Sequence, residues 1–142
     1  MKTFLVPLLL LSAVPVRAQD VDPSTLYDIS TAGSSQKVKA GEKGKVVIEI
    51  RSKAGAHVSD EAPLKIELFG KEVTPEKQKL TIKDSVAKKQ EGQAYADPRF
   101  EVPFTTSTAA KGSVDAKMTF FICTDKVCAR QQKSISVPVE VD

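Results

Sequence analysis

The sequence predicts an all-β domain, two antiparallel sheets packed face to face, on three observations. Apolar residues recur with period two rather than the 3.6-residue period of helices. Glycine and proline, at Gly41, Gly44, Gly55, Gly70, Pro75, Gly92, Pro98 and Gly112, cut the alternating runs into short segments. About seven such runs fall in roughly 120 residues, the density of a β-sandwich.

Residues 1–18 read as a cleaved signal peptide ahead of that domain. Lys2 supplies a positive amino end, residues 4–16 are apolar apart from Ser12, and Val16-Arg17-Ala18 places small side chains where a signal peptidase reads. The apolar stretch carries Pro7 and Pro15 and is too short to span a bilayer as a helix. No cysteine sits at the cleavage point, so no lipoprotein anchor is expected. Removal leaves residues 19–142, a single domain of 124 residues, and the loss of Lys2 and Arg17 lowers the net charge from +3 to +1. Lysines alternate with acids along that chain, without the clustered basic and stacking aromatic residues of a nucleic-acid binder. The expectation is a soluble, periplasmic or secreted protein, with no nucleic-acid partner and no membrane insertion after signal cleavage.

Segments 27–30 and 36–39 read as weak strands. In 45–51, Val46, Ile48 and Ile50 face one way, with Lys45, Glu49 and Arg51 opposite. Leu64, Ile66 and Leu68 alternate in 64–69. Proline suits the first helical position, so Thr74-Pro75-Glu76 suggests a helical turn, with a weak strand at 79–82. Segment 83–97 is polar and reads as a long loop. Phe100, Val102 and Phe104 resume the alternation, followed by Ala116, Met118, Phe120 and Ile122, and by Ile135, Val137, Val139 and Val141. Pro138 donates no amide hydrogen, so its strand is an edge or that position faces away from its neighbour. The architecture these segments predict is an immunoglobulin-like antiparallel β-sandwich.

Cys123 and Cys128 are the only cysteines, with Thr124-Asp125-Lys126-Val127 between them. Core-facing residues are even-numbered before the pair and odd-numbered after it. Opposed residues in an antiparallel hairpin have a constant index sum, and apolar sets on one face require that sum to be odd. Cys123 and Cys128 satisfy this, so their sulfurs are expected to oppose each other on the outer face, beside Phe121 and Arg130. Two readings then stand. A structural disulfide would stiffen the hairpin tip, contributing roughly 2 kcal/mol for so short a loop. A redox pair would cycle between dithiol and disulfide, with Lys126 and Arg130 favouring a thiolate and Asp125 opposing it. Metal binding ranks below both.

Other chemistries lack support in the sequence. His57 is the only histidine, with no third orienting group and no Gly-x-Ser-x-Gly elbow, and it reads as a structural loop residue. Two cysteines with four residues between them and one histidine, with no second histidine and no Cys-x-x-Cys repeat, make no zinc motif. Asp60, Glu61 and Asp84 lack calcium-loop spacing. No cofactor and no metal are expected.

Gly55-Ala56-His57-Val58, then Ala62-Pro63-Leu64, and the closing hairpin from Cys123 through Cys128 to Val137-Pro138-Val139 resemble a known module. It is the amino-terminal, periplasmic immunoglobulin-like domain of the DsbD-type thiol–disulfide interchange proteins, and the resemblance spans residues 38–141. It implies that Cys123 and Cys128 form a reversible disulfide and act as the catalytic pair. Electrons would arrive from a membrane electron-transfer protein and leave to envelope thiol oxidoreductases. The hairpin loop is one residue shorter than in familiar members, and the family's aromatic cap loop would fall to Phe69, near a turn. No membrane-embedded or thioredoxin-like domain follows, so the resemblance implies a stand-alone copy with a separate electron donor. The function expected is therefore an exported thiol–disulfide exchange module, an oxidoreductase component. The alternative is a non-catalytic cell-envelope protein-binding sandwich with a structural disulfide.

Overall fold

A computed structural model describes residues 20–142, and the signal-like segment 1–18 lies outside the described residues. The described residues form ten strands: β1 (Tyr27–Ser30), β2 (Lys37–Val38), β3 (Lys43–Ser52), β4 (His57–Val58), β5 (Lys65–Lys71), β6 (Val73–Pro75), β7 (Lys79–Leu80), β8 (Arg99–Thr106), β9 (Ala110–Cys123) and β10 (Cys128–Val141). One sheet has the order β1-β3-β8-β6. The other runs β2-β10-β9-β5-β7, with β4 added to the end of β9. All pairings are antiparallel except β2 with β10. The β-sandwich follows directly from the alternation read in the sequence.

The inner faces meet in one core. Val46, Ile48, Ile50, Phe100, Val102 and Phe104 come from the first sheet, and Ile66, Leu68, Ala116, Met118, Phe120 and Ile122 from the second. Gly44 lies opposite Phe104 in the β3–β8 register, and a Cβ there would stand 2.2 Å from the Phe104 ring. Only a residue without a side chain leaves the ring its place.

One expectation is corrected. Thr74 and Pro75 form no helical turn: they lie in β6, paired with Thr105 and Phe104. Val73 and Pro75 are buried while Thr74 is exposed, so period-two burial overrides the preference of proline for a helix start. A short 3₁₀ turn occurs later, at Ile82–Asp84, where the Thr81 amide donates to the Asp84 carboxylate at 2.8 Å.

The β9–β10 register runs without a bulge from Cys123 opposite Cys128 to Ala110 opposite Val141. The Thr124 amide donates to the Val127 carbonyl at 2.8 Å, so the adjoining cysteine pair is a non-hydrogen-bonded one. Even-numbered residues of β10 therefore turn their amides and carbonyls away from β9. The Glu140 amide, bonded to Gln36 of the β2 side at 2.9 Å, fits that alternation. The missing amide hydrogen of Pro138 thus faces the outer side of β10, where β2 has not yet begun to pair.

Candidate functional site at the tip of the β9–β10 hairpin

Cys123 closes β9 and Cys128 opens β10, and the two form a disulfide with an S–S distance of 2.03 Å and Cα atoms 4.0 Å apart. That close approach belongs to the non-hydrogen-bonded kind of antiparallel pair, about 4.5 Å. The intervening turn is held by one side chain. The Lys126 and Val127 amides both donate to the Thr124 hydroxyl, each at 3.3 Å. A threonine hydroxyl tying successive amides in this way is a local turn device. Lys126, Arg130 and Asp125 are all exposed around the tip.

The pair is unequal. Both sulfurs lie on the outer face, as parity requires, yet Cys123 is only 2% exposed while Cys128 is open to solvent. The outer-face position expected from the sequence therefore does not expose Cys123. The physical reason is a strand too short to read from the sequence. In β4, His57 lies directly opposite Cys123, so His57, Cys123 and Cys128 form a row across three strands. The Tyr95 ring stacks on His57 with centroids 3.6 Å apart and planes 10° from parallel. β4 thus flanks Cys123 on the side away from Cys128, and Tyr95 packs on the His57 ring.

Tyr95 comes from the polar segment between the 3₁₀ turn and β8, and that segment is tied down near both ends. The Val86 amide donates to the Arg99 carbonyl at 2.8 Å, the Arg99 amide to the Ser85 hydroxyl at 3.1 Å, and the Ser52 amide to the Asp97 carboxylate at 3.1 Å. Lys89 pairs with Asp60 at 3.6 Å and lies 6.0 Å above the Tyr95 ring. The Arg99 guanidinium reaches Glu49 at 2.9 Å. Hydrogen bonds from Arg51 first, then Arg99, hold the Glu49 carboxyl below its ordinary range, and the same contact raises Arg99.

The structure thus brings Cys123 and Cys128 together and sets His57 beside them, on a strand rather than in a loop. Tyr95 is the residue that sequence reasoning missed, because nothing local to it signals a partner so distant along the chain. Phe69 has no place at this site. It pairs with Asp115, eight positions along β9 from Cys123, or roughly 26 Å at about 3.3 Å per residue. Lys117 lies over its ring at 5.4 Å. Among the described residues, no three of His, Cys, Asp and Glu converge where an ion could bind.

No known family model matches the chain, and no curated protein matches it. Among solved structures, the chain is similar to a lipoprotein from Bacteroides thetaiotaomicron, at 15% identity and a TM-score of 0.49, covering 89% of this chain and 86% of that one. A cohesin module of a family 33 glycoside hydrolase from Clostridium perfringens is similar at 11% identity and a TM-score of 0.40, covering 82% and 95%. Domains 4 and 5 of the S-layer protein SbsC follow at 14% identity and 0.36, covering 80% and 50%. These are likenesses of chain path, and none assigns a role.

Proposed function

We propose that the protein is an exported thiol–disulfide exchange module working through Cys123 and Cys128. The observation that carries this reading is the one-sided access to the bond: Cys128 is open at a hairpin tip, while Cys123 is buried beside His57 of β4. Exchange needs an exposed sulfur in line for attack and a protected one to resolve the intermediate. A donor thiolate would attack Cys128 Sγ, break the internal bond and release Cys123 as a thiolate that takes up a proton. The donor's second thiolate then attacks its own bonded sulfur, freeing Cys128 and leaving the donor oxidised and this protein a dithiol. In the opposite direction, the Cys128 thiolate attacks an acceptor disulfide and Cys123 displaces the reduced acceptor. The resemblance to DsbD-type domains rests on the same hairpin and supplies the partner classes, a membrane electron-transfer protein and envelope thiol oxidoreductases. A disulfide and a signal-like leader both suit an oxidising compartment.

The test is trapping. A Cys123→Ser variant incubated with glutathione disulfide should collect a mixed disulfide at Cys128, whereas Cys128→Ser should react far more slowly. Two inert variants would contradict the proposal. One observation favours the runner-up, a protein-binding sandwich with a structural bridge: Cys123 is almost fully buried, as a staple would be.

A further inference from the structure

β10 is bonded along its whole length to β9, but its other edge meets β2 only at Glu140 and Val141. The alternation derived above turns the amides of Arg130, Gln132, Ser134 and Ser136 toward that open edge. None of the four has a protein acceptor there among the described residues, and of their carbonyls only that of Arg130 is engaged, by the Gln131 side chain at 2.9 Å. All four side chains are exposed. The row starts one pairing step from Cys128. Past Ser136 it runs into an open groove of about 590 Å³ lined by Thr31, Gly33, Ser34, Val137 and Pro138. From the inner side the edge is fixed: Tyr27 donates its hydroxyl to Gln131 at 3.2 Å, and Lys133 lies 5.9 Å above the Tyr27 ring.

We infer that the free edge of β10 receives an extended, acidic, cysteine-bearing segment of the redox partner as an added antiparallel strand, which delivers the partner's thiol to Cys128. This rests on the exchange reading and names the chemistry of its partner. Unpaired amides at every second residue are the template that strand addition uses. The charge is set by Lys126, Arg130 and Lys133, against which stand Asp125 in the hairpin loop and Asp22, which interacts with Lys133 from beside the Pro23–Thr25 turn, leaving a net positive edge. An acidic strand complements those cations, which the same net-positive edge on a second copy would not do. Lys133 turned inward and Pro138 on the edge are features that discourage unselective pairing. The first exchange step is the one given above, with the segment's thiolate attacking Cys128 Sγ and Cys123 leaving.

The experiment compares two synthetic peptides on the whole mature protein in its disulfide form. Both alternate glutamate with valine and threonine and end in cysteine. In one, alternate backbone amides on the pairing side are N-methylated, which removes donors and keeps charge and thiol. The unmodified peptide should form the mixed disulfide at Cys128 at least about tenfold faster, the scale of one or two net backbone hydrogen bonds. In Ser134→Pro, with folding checked by circular dichroism, the ratio between the peptides should collapse toward one, since Pro138 already shows that β10 accepts a proline with its nitrogen facing outward. Equal rates on the unaltered protein would overturn the inference. So would a dimer in sedimentation that Ser134→Pro dissolves, because the edge would then belong to a second copy. Glutathione separates the two claims. If it fails to open the disulfide, the exchange reading falls and takes the edge with it. If it reacts while the two peptides do not differ, only the edge proposal falls.

Discussion

Cys123 and Cys128 face each other in register across β9 and β10, yet only Cys128 meets solvent, while Cys123 is flanked on its other side by His57 of β4. A hairpin disulfide is symmetric in its backbone. Here a third strand lies beside one of the two cysteines only, and the sulfurs differ: one is open to solvent and the other is buried.

That difference can be measured in the reduced protein. Cys128 should alkylate with iodoacetamide at least about tenfold faster than Cys123, since attack needs an accessible thiolate. Tyr95→Ala should narrow the ratio by freeing the His57 ring that lies opposite Cys123. Mass mapping of the modified peptides reads both sites, and equal rates in the unaltered protein would remove the basis for separate roles.

The bridge encloses a short loop, so its contribution to stability is small. Replacing both cysteines with serine should lower stability by about 2 kcal/mol and leave the circular dichroism spectrum unchanged. Urea unfolding checks this. Loss of the fold would show that the bond is an essential staple.

Gly44 gives a test of the core that is independent of the site. Gly44→Ala sets a methyl group into the space of the Phe104 ring, and overpacking of this kind costs about 1–3 kcal/mol. Urea unfolding should show that loss with no change in the alkylation ratio of the cysteines.

Acid should loosen the scaffold behind Tyr95. The Glu49 carboxyl is held below its ordinary value of 4.5 by Arg51 and Arg99. A depressed carboxyl stabilises the fold fully above the unfolded value, and that contribution is lost as the pH falls through the folded value. Melting temperature should therefore decline as the pH drops below about 4.5, and Glu49→Gln should flatten the decline. Asp84 is lowered in the same sense by Lys77 and by the Thr81 amide, and so adds to the effect.

The strands legible in the sequence were those whose burial alternates over several residues, such as Val46-Ile48-Ile50 and Val137-Val139-Val141. The parity of those sets also gave the register of the cysteines, because nothing interrupts the β9–β10 ladder. β4 escaped notice because two residues carry no period. β6 did so because proline has two structural preferences and burial chose between them. The packing around His57 was illegible for a further reason: its stacking with Tyr95 is a long-range contact, fixed by where Ser85, Asp97 and Arg99 anchor a loop. Local sequence shows no sign of that geometry.

The exchange role is tested most directly by the reduction potential of the Cys123–Cys128 pair, from equilibration against glutathione buffers with the thiols quantified by mass. The account predicts a value near about −200 mV, where the pair can both accept and pass on electrons in an oxidising compartment. A value below about −300 mV would contradict it and mark the bond as a structural one.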